Sequence, residues 1–482
     1  MTSSNEQSHL VDMKRIGIVG GGFSGSAVAY HLARCAHDRL DIFVYEPRDR
    51  VGHGVAYSVS DDHLLLNVPA GKLSIDPDRP ADFLDWCLSR EYRADAGAFL
   101  PRSWFGAYSE SRMAEHVHAT GGMVTLHRVQ SRVDRIDAQA DMLRVTDSGG
   151  GVAHVDHAVL ALGHGPTRIP EAIAPFSDSP QVLLSPWDRI AMDRIANEAH
   201  RVLLVGTGLT MCDAAITLAR MGFRGELTAI SRRGLLPQVH SPSNPARLAD
   251  WADRLPTGSL RTLRREIRWG AREHGWRSAM DALRGRTSSL WGALSLHEQD
   301  RFTRRLAPYW DSHRHRLPVE CASMISMLRD AGSLRIVRGH IGRVQRNRSW
   351  LTCELQPHGI RHRETLDADA IVLCTGPDPD QRRWKSPLID QLMADGFASS
   401  ELNRLGLRTN GAGLLVGRGG VVQHRLSTLG PPRRGSLWES TAVPEIAAQA
   451  AVLGRHLAGK NDYSASPDHR LMQAATQLTP DE

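Results

Sequence analysis

Apolar positions follow the same order twice along the chain. In RIGIVGGGFSGSAVAYHLAR (15–34), and again in RVLLVGTGLTMCDAAITLARMG (201–222), a β-branched run stops at glycines and passes into an alanine-rich pattern of helical period. A second short apolar run follows each, IFVYE (42–46) and LTAISRR (227–233), so each opens a β-turn-α-β unit. Each half then closes on an apolar strand with a Gly/Pro exit, HAVLALGHGP (157–166) and ADAIVLCTGP (368–377). This repetition predicts an α/β chain with two Rossmann-like dinucleotide-binding domains. Between these landmarks, 80–120 reads as helical from near Asp82, and the alternation over 123–147 predicts a small antiparallel element. Residues 245–330 lack strand signals and predict a helical insertion. Further strands are expected at 334–339, 351–355 and 413–417, and a helix from about Val443 to Leu457. The expected boundaries are 14–165 for the first part of the first domain and 166–345 for the second domain, with its insertion at about 245–330. Residues 346–460 return to the second domain and complete the first, and 1–13 and 461–482 are expected as flexible ends.

Composition narrows the class. The 482 residues are 41% hydrophobic and 23% charged, which excludes a disordered or fibrous chain. Runs such as VLLVG (202–206) fall far short of the roughly 20 apolar residues of a membrane span. The opening MTSSNEQSHLVDMKR has no apolar signal core, so a cytoplasmic, soluble protein with no membrane partner is expected. Only four of the 59 basic residues are lysines; the arginines are spread among 53 acids, for a net charge of +6. That is a compositional bias, not a localised footprint, and no nucleic-acid partner is expected. None of the six cysteines stands in C-x-x-C spacing, which disfavours a disulfide reductase.

The glycines carry the chemistry. Gly20-x-Gly22-x-x-Gly25 joins a strand to a helix, and Glu46 ends the next strand. Gly20 permits the tight turn, Gly22 lets backbone amides approach a pyrophosphate, and Gly25 lets helix and strand pack closely. The helix N-terminus offers partial positive charge, and Glu46 accepts from a ribose. So close to the amino end, this arrangement is expected to hold FAD through Gly20, Gly22, Phe23, Ser24, Gly25 and Glu46, with Gly163 at the exit of the half. The second elbow is Gly206-Thr-Gly208-Leu209-Thr210-Met211. Met211 replaces the third glycine and loosens the expected helix–strand packing. The next strand ends in Ser231-Arg232-Arg233 in place of an acid, a set that would bind a 2′-phosphate, so NADPH is expected over NADH. Gly376 is the matching exit glycine.

These features resemble the two-dinucleotide-binding-domain flavoproteins. More narrowly, EPRDRVGHGVAYSVSDDHLLLNVPAGKLSIDPDRPADFLDWC (46–87), FLPRSWFGAY (99–108), VGTGLTMCDAAITLARMGFRGELTAISRRGLLPQ (205–238), WDSHRHRLP (310–318) and LWESTAVPEIAAQA (437–450) resemble the bacterial FAD/NAD(P)-binding protein family. More distantly, Leu66–Ser74, Pro80–Trp86 and Pro101–Tyr108 stand in the order found in flavin-dependent N-hydroxylating monooxygenases. The fingerprint of Baeyer–Villiger monooxygenases is not found. In related flavoproteins the last strand ends in Gly-Asp, whereas here GLLVG ends at Gly417-Arg418, before the unusual stretch GGVVQHRLSTLGPPRRGS (419–436).

The resemblance implies an FAD-dependent, NADPH-using monooxygenase that combines molecular oxygen with a small amine or amino-acid-like substrate. Such chemistry needs cofactor orientation and dryness rather than a side-chain nucleophile. Asn67, Val68 and Pro69 form the expected flavin-edge loop, with Asn67 as candidate catalytic group. Thr441 or Ser440 is expected to cap the helix that follows, and Thr441, Ala442 and Val443 bring its positive end to the flavin. In 261–316, thirteen arginines interleave with Trp269, Trp276, Trp291 and Trp310, either as a substrate or partner surface or as a solvated helical cap. Arg314 and Arg316 are read as anion contacts or structural ion pairs, and no metal is expected. The competing functions are a flavin-dependent NADPH dehydrogenase without oxygen insertion and a nucleotide-binding regulator.

Overall fold

The computed structural model describes residues 13–359 and 362–459; apart from Met13, the ends expected to be flexible lie outside them. The strands are β1 (Lys14–Val19), β2 (Leu40–Tyr45), β3 (Val124–Val129), β4 (Val133–Gln139), β5 (Met142–Asp147), β6 (Val152–Val155) and β7 (His157–Leu160). Then come β8 (Val182–Leu183), β9 (Arg201–Val205), β10 (Glu226–Ser231), β11 (Leu334–Arg346), β12 (Leu351–Pro357), β13 (Glu364–Ala368) and β14 (Ala370–Leu373). Last are β15 (Leu414–Val416) and β16 (Val422–Thr428).

They make two large sheets of orders β15-β16-β7-β1-β2-β3 and β13-β12-β11-β10-β9-β14-β8, and a small sheet β4-β5-β6. In each large sheet the strand before the glycine elbow, β1 or β9, lies between its successor and its exit strand by parallel pairing. Both faces of these strands are covered. Ile16, Ile18, Ile42 and Val44 meet one apolar cluster, while Val19, Tyr45, Ala158 and Leu160 meet another. That two-sided burial is why the strands read as continuous apolar runs; each fully buried Ile or Leu contributes about 1.5–3 kcal/mol.

Two sequence expectations change here. The stretch 123–147 is not one antiparallel element: β3 joins the first sheet parallel to β2, and only β4 onward forms the antiparallel sheet. The last parallel strand of the first sheet is β16, beside β7, while β15 runs antiparallel at the edge. The strand end facing the site is therefore Thr428–Gly430 and not Gly417-Arg418. Gly430 has φ +72°, and a Cβ there would lie 3.1 Å from Ser24 Oγ, at the start of the first elbow's helix.

Seven helices cover the sheets or build the cap: α1 (Phe23–Cys35), α2 (Arg102–Ala119), α3 (Leu209–Arg220), α4 (Leu260–His274), α5 (Ala307–Arg314), α6 (Val319–Asp330) and α7 (Val443–Leu457). The expected insertion at 245–330 is shorter by one helix. Cys321 and Ile325 of α6 pack into the same core as Met211, Ile216 and Leu334, so α6 covers the second sheet. The remaining helical cap has its own core. Leu263, Met280 and Leu290 cluster with Trp276 and Trp310, and Trp291 packs with Trp438 and Phe302. The insertion's tryptophans thus serve mostly as core; Trp269, on α4, is half-exposed.

The two halves are tied by a buried ion pair. Arg102 on α2 donates to Asp213 Oδ2 on α3 at 2.6 Å and to the Leu65 carbonyl at 3.0 Å. His63 Nε2 also lies 2.9 Å from Thr217 Oγ1 of α3. All six cysteines are buried and unpaired. No helix of the described residues is long and apolar enough to cross a membrane.

Candidate functional site

The first elbow is shaped by contacts only glycine allows. Gly20 has φ +106°, and a Cβ on it would lie 2.3 Å from the Ala161 carbonyl oxygen past β7. A Cβ on Gly25 would lie 2.0 Å from the Gly20 carbonyl oxygen, so α1 starts tight against the turn. Gly20 N–H donates to the Tyr45 carbonyl at 2.9 Å, and Ala161 N–H donates to Val19 at 2.8 Å. Glu46 is buried; its Oε2 accepts from Gly21 N–H at 3.0 Å, and its Oε1 accepts from Arg48 N–H at 3.2 Å.

The second elbow repeats these ties residue for residue. Gly206 has φ +120°, with a Cβ position 2.2 Å from the Cys374 carbonyl oxygen. Gly206 N–H donates to Ile230, and Cys374 N–H donates to Val205, each at 2.8 Å. Met211, in the third glycine's place, is wholly buried in the second core. Ser231 Oγ lies 2.7 Å from Thr207 Oγ1 and accepts from Gly234 N–H at 3.0 Å. The two arginines beside it differ. Arg233 donates to the carbonyls of Arg304 and Arg305 at 3.2 and 3.0 Å. Arg232 is exposed on the cavity wall, and its side chain has no partner among the described residues.

A cavity of about 1170 Å³ opens between the halves beneath the cap. It gathers Asn67, Val68 and Pro69 with Gly206, Gly208, Leu209, Thr210, Ser231, Arg232, Arg233 and Gly376, and with Thr441, Ala442 and Val443. Gly20, Gly22, Phe23, Ser24, Gly25, Glu46 and Gly163 do not line it; they form the separate first elbow. The Asn67 loop is held by the pairing of Leu66 N–H with Leu100 (2.8 Å) and of Ala70 N–H with Ala98 (2.9 Å). His240 Nε2 donates to the Asn67 carbonyl at 3.0 Å, and burial keeps this imidazole below its ordinary pKa, hence neutral.

The residues present fit dinucleotides. α1, α3 and α7 begin at Gly22, Gly208 and Ala442, and no side chain caps any of them. Their first-turn N–H groups remain for anionic ligand atoms. A Cβ on Gly208 would meet no atom within 4 Å, so space for a ligand stands at the elbow. The capping role expected of Thr441 or Ser440 is not found. Ala442 occupies the cap position, and Ser440 Oγ is buried without a partner. Arg314 and Arg316 resolve as ion pairs: Arg314 Nε donates to both oxygens of Glu439, and Arg316 forks onto Asp281.

Several lining residues were not assigned to the site from the sequence: Lys72, His164, Asp311 and Arg434, and His315, weighed with His313 only as a metal ligand. His164 directly follows the exit glycine Gly163, which was the available signal. Arg434 sits in the 419–436 stretch, where no pattern pointed inward.

Residues 17–165 match the family model described as FAD-NAD(P)-binding. An uncharacterized protein, YdhS, of Escherichia coli (strain K12) is 23% identical over 260 residues, 47% of each chain; the chain thus spans about half the length of the curated relative it matches. Among solved structures, the reduced form of the ornithine hydroxylase PvdA from Pseudomonas aeruginosa is 17% identical, with TM-score 0.63 over 92% of this chain and 98% of that one. The ornithine N-hydroxylase of Kutzneria sp. 744, with reduced FAD, NADP⁺ and L-ornithine, is 15% identical, with TM-score 0.66 over the same shares. The chain thus contains an FAD-NAD(P)-binding domain and has the two-dinucleotide-domain fold of the flavin-dependent monooxygenases it resembles.

Proposed function

We propose that the chain is an FAD-dependent, NADPH-using monooxygenase of a small amine or amino-acid-like substrate. One observation carries this reading: the nicotinamide-side elbow, the Asn67 loop and the open end of α7 share a single capped cavity. When bound, FAD supplies hydride acceptance from NADPH and activation of oxygen. The first elbow, with Glu46, holds its adenosine and pyrophosphate end. α3 receives the second pyrophosphate at Gly208–Thr210, and Arg232 takes the 2′-phosphate by charge-assisted bonds. Asn67 offers its amide, and α7 its uncapped N–H groups, to the flavin edge, favouring negative charge there. The cap, packed by Trp291, Trp310 and Trp438, covers the cavity on one side, which limits the access of water to the reacting atoms.

Purified protein should be yellow, or become so with FAD, and NADPH consumption across a panel of amines and amino acids should match oxygen uptake and oxygenated product. Product formed equally without oxygen would turn the reading to a dehydrogenase. Colourless protein that no flavin reconstitutes would overturn it altogether.

A further inference from the structure

The Asn67 carbonyl is held from the other half of the molecule. His240 comes from the segment after β10, downstream of Ser231, Arg232 and Arg233, and its Nε2 donates to that carbonyl at 3.0 Å. The backbone that carries the imidazole is itself fixed. His240 N–H donates to Leu317 at 2.9 Å, Leu317 N–H donates to Gln238 at 2.8 Å, and Arg277 Nη2 donates to the Val239 carbonyl at 3.1 Å. The ring lies 4.7 Å from that of Phe99, between Ala98 and Leu100, which pair with the two ends of the Asn67 loop.

A trans peptide turns its carbonyl and its N–H to opposite sides. No cis peptide stands among the described residues, so the Val68 N–H points away from the carbonyl that His240 holds. That N–H has no acceptor among the described residues, and neither the Asn67 N–H nor its side-chain amide is engaged there. Both residues line the cavity. Pro69, next in the chain, has no N–H to offer. Turned over, the same peptide would present an acceptor oxygen in place of its donor. The bond from His240 opposes that turn, and a neutral bond of this kind favours one facing by about fivefold.

We propose that His240 is a positioning residue, which holds the Asn67–Val68 peptide in the facing that offers the Val68 N–H to the flavin edge. This rests on reading the Asn67 loop as that edge. A fixed backbone donor there stabilises negative charge on reduced flavin, and it is set by the half that receives NADPH.

FAD-loaded parent and variants are compared without oxygen or substrate, so turnover plays no part. Visible absorbance of the flavin and its reduced-to-oxidised ratio against a reference dye are followed. His240→Leu removes the donor, His240→Gln returns an amide N–H at about the reach of Nε2, and His240→Asn places one only at the reach of Nδ1. The Leu and Asn variants should shift the flavin bands and lower the ratio at least threefold, about 14 mV for a two-electron couple, with FAD content within about twofold. His240→Gln should stay near the parent. Unmoved bands and ratio in His240→Leu overturn the proposal, and so do Gln and Asn variants that shift alike. If His240→Leu does not fold, the Gln and Asn variants decide between themselves. A parent that takes up no FAD overturns the reading of the loop as well, whereas a yellow parent with unmoved variants overturns this proposal alone.

Discussion

Arg232 and Arg233 are neighbours in sequence with opposite surroundings. Arg233 is spent on two cap carbonyls, whereas Arg232 has no such engagement. Arg232→Ala should weaken NADPH by about 10- to 100-fold and leave NADH nearly unchanged, as measured by equilibrium titration of both. Arg233→Ala should instead cost about 1 kcal/mol per lost carbonyl contact and treat both nucleotides alike. Asp311 gives a pH signature. Its folded pKa, about 6, lies above the ordinary 3.8, so ionisation is a cost to the fold that is absent below about pH 4 and complete above about pH 6. With 45% of the side chain open, screening reduces that cost to about 1 kcal/mol. Asp311→Asn should be more stable than the parent by that amount at pH 8 and equal to it at pH 4; equal urea midpoints at both would refute this. From sequence, residue types at the elbows were readable because glycine at such turns has one physical reason. The pairing of Arg314 and Arg316 was not, because Glu439 and Asp281 lie 125 and 35 residues away from them.

At the scale of elements, α1, α3 and α7 start at the elbows and at the cavity without a side-chain cap, unlike the helices capped by Asp188, Ser259 or Ser295, a trait they share with α2, α5 and α6. Ala442 has extended backbone, φ −91° and ψ 153°, suited to a capping aspartate. Ala442→Asp should hold or raise the melting temperature, yet slow reduction of bound flavin by NADPH by tenfold or more, since it sets a carboxylate where developing negative charge needs stabilising. Unchanged reduction would separate α7 from the flavin. Both βαβ openings and α7 were legible because their periodicity is strong. β16 was not: its sequence VQHRLST is flanked by Gly419-Gly420 and Gly430-Pro431-Pro432, punctuation that reads as loop, and its pairing with β7 is long-range. β3 misled for a related reason, since alternation reveals a strand but not the direction of its neighbour.

Across the whole molecule, the two halves meet through Arg102 and Asp213, with side chains 15% and 7% exposed. Desolvation holds Asp213 above its usual pKa despite the guanidinium, so an unpaired Asp213 would be expensive. Arg102→Met should cost about 3 kcal/mol in urea unfolding, and adding Asp213→Leu should recover much of it. A double variant no more stable than Arg102→Met would show the pair to be incidental. The duplication was readable at its two elbows and their exit strands, while the cap was readable only as helical, because a tryptophan in an arginine-rich stretch gives no sign of which way it faces. The buried thiols carry a consequence for experiment. Burial drives Cys87 and Cys353 up to about 12 and Cys321 to about 11, so the native chain should resist alkylation. Cys35 and Cys87 belong to the first half and Cys212, Cys321, Cys353 and Cys374 to the second, so pulse labelling weighed by mass spectrometry would time the breathing of each half with a reporter the chain already contains.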